Sequence, residues 1–152
     1  MAIKRKTTII ILSFTLIICV LLFMGFRGFV NSIRDQRTCE WANIDNIELH
    51  AHIDVPKVTK SDCHYEEERN IKMASFTIDT ANFDITRYIQ NYQLTKLNTS
   101  AELQYGSFLK LDKESLVGSD LYFKKDSAGG ERYKVLLDKA TGRLWVSIEF
   151  KD

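Results

Sequence analysis

An uncharged run of twenty residues, from Thr7 to Phe26, constrains this chain more than any other feature. As a helix that rises about 1.5 Å per residue, it spans roughly 30 Å, the thickness of a bilayer's hydrocarbon core. Four basic residues flank the run, namely Lys4, Arg5, Lys6 and Arg27. We therefore predict a basic tail at residues 1–6, a transmembrane anchor at residues 7–26 and a linker at residues 27–39.

Two kinds of cleaved leader compete with this interpretation. The apolar region of a secretory signal is usually about 7–15 residues long and ends at small residues. This run is longer, and the segment from Met24 to Arg27 offers no such cleavage site. A lipoprotein signal would place its lipid on Cys19, but Ile18 stands where a small residue is expected. An uncleaved anchor is the favoured interpretation.

Basic flanks and cysteines together predict the side of the membrane on which the polar domain lies. Positive charge is retained in the cytoplasm, so the short basic tail favours an N-terminus inside and a domain outside. Beyond the anchor, Cys39 and Cys63 are the two cysteines present. Exported domains usually join such a pair in a disulfide. We expect a single-pass protein of the bacterial inner membrane whose Cys39–Cys63 bridge and C-terminal domain lie in the periplasm.

Residues 40–152 have the size of one small domain. The chain after Arg27 contains seventeen basic and twenty acidic residues, so this part has a formal charge of −3. Nucleic-acid binding normally needs a basic face. We therefore predict no nucleic-acid partner, and the lipid bilayer, through the N-terminal helix, as the first partner.

Alternation and turn residues predict an α+β domain. Residues 46–55 alternate apolar and polar side chains up to Pro56, which predicts a strand, and Met73–Asp79 predicts a second. Between them, residues 57–70 are charged and are interpreted as a loop. The segment from Leu94 to Gly118 shows no clean period.

The C-terminal half contains the clearest elements. Asp84 has the position of a helix N-cap, with Phe83 and Tyr88 at the spacing of a hydrophobic staple. Three strand-like segments follow, at residues 120–124, 132–137 and 143–150, and glycine-containing turns separate them. These segments predict an antiparallel three-stranded meander with the helix packed on one face of the sheet.

No sequence motif supplies catalytic chemistry. The chain contains neither a phosphate-binding glycine loop nor a nucleophile-elbow motif. His50 and His52, two apart on the predicted first strand, could bind zinc with His64, but the spacing matches no ligand pattern. A solvent-exposed strand face is the favoured alternative, and Glu66–Glu68 are interpreted as a solvated loop. We predict no enzyme, no cofactor and no metal.

Aromatic residues provide the candidates for partner binding. Trp145 is predicted on the face opposite Leu144 and Val146, so Trp145 and Tyr122 could form an exposed patch on the outer face of the meander. The alternative is that a loop, or the segment from Leu94 to Gly118, covers them.

A single anchor that carries a small α+β domain outside the membrane resembles the general plan of small bacterial envelope proteins. Immunity proteins that neutralise incoming toxins share that plan. The resemblance implies a tethered module that binds a protein in the periplasm, as an immunity or inhibitor protein. The alternatives are a structural accessory subunit of a secretion or division complex and a small metal-binding protein that uses His50 and His52.

Overall fold

The computed structural model describes residues 2–35, 37, 39, 43–97 and 120–151. The chain divides into two compact units, Met1–Gln36 and Arg37–Asp152. Most of the segment from Leu94 to Gly118, for which the sequence predicted no element, lies outside the described residues.

The first unit is one long helix, α1 (Ala2–Asp35). Its stretch Ser13–Val30 is long and apolar enough to cross a membrane, and its side chains are exposed throughout. A helix this apolar on all sides needs an apolar environment. Because it lies near the N-terminus, it could be a membrane span or a signal sequence.

The second unit contains a six-stranded antiparallel sheet and two short helices in its described part. The helices are α2 (Asn43–Ala51) and α3 (Ile85–Asn91). The strands are β1 (Val58–Glu66), β2 (Ile71–Ile78), β3 (Thr95–Lys96), β4 (Leu121–Ala128), β5 (Glu131–Asp138) and β6 (Arg143–Glu149). Their order in the sheet is β1-β2-β6-β5-β4-β3. The predicted α+β class is confirmed.

The meander, strand β2 and helix α3 form close to their predicted positions. The side chain of Asp84 accepts a hydrogen bond of 2.9 Å from the backbone N–H of Arg87 and so caps α3. The rings of Phe83 and Tyr88 lie 5.4 Å apart, as the staple predicts. Gly142 has a φ of +70° in the turn between β5 and β6, a conformation that glycine adopts without strain.

The strand predicted at residues 46–55 is wrong, because most of this segment forms α2. The helix buries four residues, Asn46, Ile47, His50 and Ala51. These positions recur at helical spacing and lie on one side of a helix. The two apolar residues among them, Ile47 and Ala51, also fit the alternation of a strand, which has a period of two. Packing of Ile47 and Ala51 in the main core is consistent with the helix.

The loop predicted at residues 57–70 is also wrong, because β1 occupies most of it. Among the described strands, β1 pairs only with β2 and forms one edge of the sheet. Most residues of β1 are exposed. Polar and charged side chains are typical of such an edge, because they discourage pairing with another chain.

Both faces of the sheet carry apolar clusters. The first face carries Phe76, Leu144, Val146 and other strand residues, which pack with α2 and α3 in the main core. The second face carries a smaller cluster, formed by Leu121, Phe123, Leu136 and Trp145 with Leu97 against it. The sequence had left open whether this second face is exposed or covered.

Candidate binding site

Trp145, the first residue predicted to bind a partner, is buried. Its side chain is 1% exposed and lies in the second-face cluster beside Leu136. The guanidinium of Arg143 stands 5.1 Å from the ring centroid. Among the described residues, Trp145 Nε1 is the buried side-chain nitrogen that lacks a hydrogen-bond partner. Trp145 is therefore covered, which agrees with the alternative interpretation of the sequence and not with an exposed patch.

Tyr122, the second predicted binding residue, lies on the other face of the sheet. It pairs with Leu137 across β4 and β5 and packs against the main core while remaining half-buried. The ammonium of Lys96 lies 5.9 Å from its ring centroid. Because Tyr122 and Trp145 face opposite ways, they do not form the single patch that the sequence suggested.

The three histidines occupy different environments. His50 is buried in α2, where its Nδ1 lies 2.5 Å from Glu131 Oε2 and its ring meets Phe150 edge-on at 5.1 Å. His52 is exposed just after the helix with a φ of +50°. His64 is exposed on β1. Within the described ranges, no three His, Cys, Asp or Glu side chains are grouped as metal ligands would be.

The acidic run Glu66–Glu68 is exposed or half-exposed at the hairpin between β1 and β2. Glu66 lies 3.5 Å from Arg69 in an ion pair. The predicted bridge between Cys39 and Cys63 is present, with their Cα atoms 5.7 Å apart, and Cys19 in α1 is a free cysteine. A disulfide is consistent with an oxidising compartment.

A groove of about 310 Å³ lies between α3 and the segment that joins α2 to β1. We call it the aromatic groove. Its eight lining residues are Asp54, Pro56, Phe83, Asp84, Arg87, Tyr88, Asn91 and Tyr92. Three of the eight are aromatic, and four carry a polar group at an exposed position. This combination of an apolar base and a polar rim is typical of small binding sites.

Ring contacts and hydrogen bonds hold the aromatic side chains in place. The ring of Tyr88 lies 5.4 Å from that of Phe83 and 4.6 Å from that of Tyr92. The Tyr88 hydroxyl donates a hydrogen bond of 2.8 Å to the backbone carbonyl of Asp54. The Tyr92 hydroxyl donates to the Asp54 carboxylate at 2.7 Å and accepts from the Asp54 N–H at 3.0 Å. The base of the groove is therefore preorganised.

The charges around the groove favour a positive ligand. Asp54 and Asp84 provide two carboxylates at its rim, against one guanidinium from Arg87. Burial, reinforced by Tyr92 and the nearby carboxylates, raises the pKa of Tyr88 well above its usual range. Burial and the hydrogen bond to Asp54 also raise the pKa of Tyr92. Both hydroxyls therefore remain protonated at neutral pH and keep their hydrogen bonds.

Comparison of the chain with protein families, curated proteins and solved structures gives no match. The candidate site therefore rests on the contacts of its own residues.

Sequence reasoning did not identify the aromatic groove. It assigned Phe83 and Tyr88 to the start of a helix and Asp54 to a strand. The sequence contained one signal of the groove, which is the density of aromatic residues around α3. Three aromatic residues lie within positions 83–92, although α3 is only two turns long. The two sides of the groove are far apart in the chain, since Asp54 and Tyr92 are separated by 38 residues.

Proposed function

We propose that this chain is a membrane-tethered module that binds a protein partner outside the cytoplasm. Its most specific form is an immunity or inhibitor protein that neutralises a toxin or hydrolase in the periplasm of a bacterium. The observation that carries the proposal is the aromatic groove, in which the rings of Phe83, Tyr88 and Tyr92 contact one another and form its base.

The groove is suited to a side chain from a protein segment. Aromatic residues dominate the binding energy of protein interfaces, and a polar rim around an apolar base is typical of them. The charge balance at the rim, two carboxylates against one guanidinium, favours a basic side chain. Arginine fits this chemistry best, because its guanidinium can stack on Tyr92 and pair with Asp54.

The rest of the chain is consistent with a tethered binder. Helix α1 contains a stretch long enough to hold the domain at a membrane, and the Cys39–Cys63 bridge fits an oxidising compartment. Tethering keeps a binder at a high effective concentration at the surface that it protects. A toxin that arrives at that surface would be occluded stoichiometrically, without turnover.

Photo-crosslinking in intact cells tests the proposal. A photoreactive phenylalanine analogue replaces Tyr92 in the full chain, and a matched control carries it at Lys60, an exposed position on β1. We expect a discrete protein adduct from position 92 that is absent from position 60. The same adducts from both positions, or none from position 92, would contradict a partner in the groove.

Reporter fusions test the proposed side of the membrane. Alkaline phosphatase, which is active only outside the cytoplasm, and a fluorescent reporter that works inside are each fused after Asp152. We expect active phosphatase and a dark fluorescent fusion. The reverse pattern would place the domain in the cytoplasm and overturn the proposed localisation.

A further inference from the structure

We propose that the second face of the sheet carries a binding site for a phosphate-type oxyanion. The site is a depression of about 160 Å³ with four basic residues in its lining, Arg69, Lys125, Arg132 and Lys134. We call it the basic depression. It shares no residue with the aromatic groove and does not depend on the function proposed for that groove.

Strand register places two lysines of the basic depression directly opposite each other. Lys125 on β4 pairs with Lys134 on β5, and Lys134 in turn pairs with Ser147 on β6. Side chains in such positions point to the same face with their Cβ atoms about 5 Å apart. Like charges placed this way destabilise a sheet. Within the described part of the chain, neither lysine has an ion-pair partner. An anion between them would remove this repulsion.

Two arginines and one hydroxyl complete the donor set. Arg132 forms an ion pair with Glu149, and Arg69 forms one with Glu66, so both guanidinium groups are held near the rim. Ser147 is 5% exposed and lies at the base of the depression. Among the described residues of the lining, Glu149 is the one carboxylate against four cations, and Glu66 pairs with Arg69 from outside the lining. Four cations minus these two carboxylates leave a formal charge of +2 at the depression, on a domain whose formal charge is negative.

The donor set matches a phosphate-type group. Such a group accepts several charge-assisted hydrogen bonds at once, from ammonium and guanidinium groups and from a hydroxyl. The volume of the depression corresponds to a few water molecules, since each occupies about 30 Å³ in the liquid. It is therefore suited to one anionic group. That group could be a free phosphate or the headgroup of an anionic lipid, which present the same chemistry.

Calorimetric titration of inorganic phosphate into the full chain, held in a zwitterionic detergent, tests the site. We expect Lys125→Gln or Lys134→Gln to weaken binding about tenfold or more. Glu149→Gln should strengthen it, because it removes the single negative charge of the lining. The matched control is Lys60→Gln with Lys139→Gln, two lysines outside the depression, and it should leave the affinity unchanged.

Each variant's thermal unfolding midpoint separates lost binding from lost folding. Lys125→Gln and Lys134→Gln remove a like-charge pair, so the midpoint without phosphate should not fall. Equal affinity in the wild type, the depression variants and the control pair would overturn the site.

A second measurement distinguishes the two sources of the group. The full chain is placed in vesicles of phosphatidylcholine, with or without phosphatidylglycerol, and lysine acetylation rates are read by mass spectrometry. Protection of Lys125 and Lys134 by phosphatidylglycerol identifies a headgroup, and protection by added phosphate identifies a free anion. Lys60 and Lys139 should stay unprotected. The proposal would be contradicted if phosphate does not bind and neither addition protects Lys125 and Lys134. Equal protection of all four lysines would also contradict it.

Discussion

Lys72 and Asn46 are both buried beneath the first face of the sheet, and the lysine ammonium donates a hydrogen bond of 3.0 Å to the amide oxygen. Lys72 is 1% exposed, which is unusual for a lysine. The contact joins strand β2 to helix α2. Burial lowers the pKa of Lys72 from 10.5 to about 8.

The lowered pKa of Lys72 predicts a specific dependence of stability on pH. Between about pH 8 and pH 10.5 the unfolded chain holds this proton and the folded chain releases it, so stability rises with pH. The test is the difference in unfolding free energy between the wild type and the variant Lys72→Met. This difference should rise by up to about 3 kcal/mol across this pH window. Denaturant titrations at several pH values measure the difference.

Subtraction of the variant removes the opposing effect of the tyrosines. The pKa values of Tyr88 and Tyr133 are raised in the fold, so both proteins lose stability as pH rises above about 10. If the unfolding free energies of the wild type and Lys72→Met change in parallel between pH 8 and pH 10, burial of the ammonium does not make stability depend on pH.

Trp145→Ala should behave as a core substitution. Because the side chain is 1% exposed, its truncation should lower the unfolding free energy by about 3–5 kcal/mol. Trp145→Phe should cost much less, because it keeps a ring and removes an indole N–H that has no partner among the described residues. Denaturant unfolding compares the two. If the Trp145→Ala protein is folded and as stable as the wild type, Trp145 is not a core residue.

The sequence predicted the elements whose patterns are local. Strand β6 alternates Leu144, Val146 and Ile148 with other side chains, and Gly142 marks its turn. Asp84 caps α3 through a hydrogen bond three residues away. Such signals depend on neighbours in the chain and were sufficient for the meander and for α3.

The elements and sites that were missed depend on tertiary contacts. Ile47 and Ala51 fit both a strand and a helix until the sheet that covers them is known. The aromatic groove could not be predicted for a similar reason, because the contact between Asp54 and Tyr92 requires that α3 packs beside the chain that follows α2. The burial of Trp145 depends on cross-strand neighbours such as Leu136, so the sequence left exposed and covered interpretations both open.

Gly142→Ala should destabilise the domain more than Gly129→Ala. Both glycines have positive φ, at which an alanine costs about 1–2 kcal/mol. At position 142 an added Cβ would also lie 2.6 Å from Cγ2 of Thr80, whereas position 129 is open. Combination with Thr80→Ser removes that methyl group and should return the cost to the level of Gly129→Ala. Equal costs for the two single variants would show that the contact relaxes freely.

The Cys39–Cys63 disulfide should contribute about 3 kcal/mol, since it closes a loop across 24 residues. We expect the paired replacement Cys39→Ser with Cys63→Ser to lower the unfolding free energy by this amount. The denatured chain should titrate one thiol before reduction, from Cys19, and three after it. Three thiols without reduction would show that the bridge does not form.

The affinity of the crosslinked partner for the full chain tests the binding account most directly. Tyr92 lines the aromatic groove, whereas Tyr122 is a half-buried tyrosine outside it. Tyr92→Ala should weaken binding by about 2 kcal/mol, roughly 30-fold, as at a hot spot. Tyr122→Ala in an equally folded protein should have little effect. Unchanged affinity in a folded Tyr92→Ala protein, or an equal loss in both variants, would contradict the account.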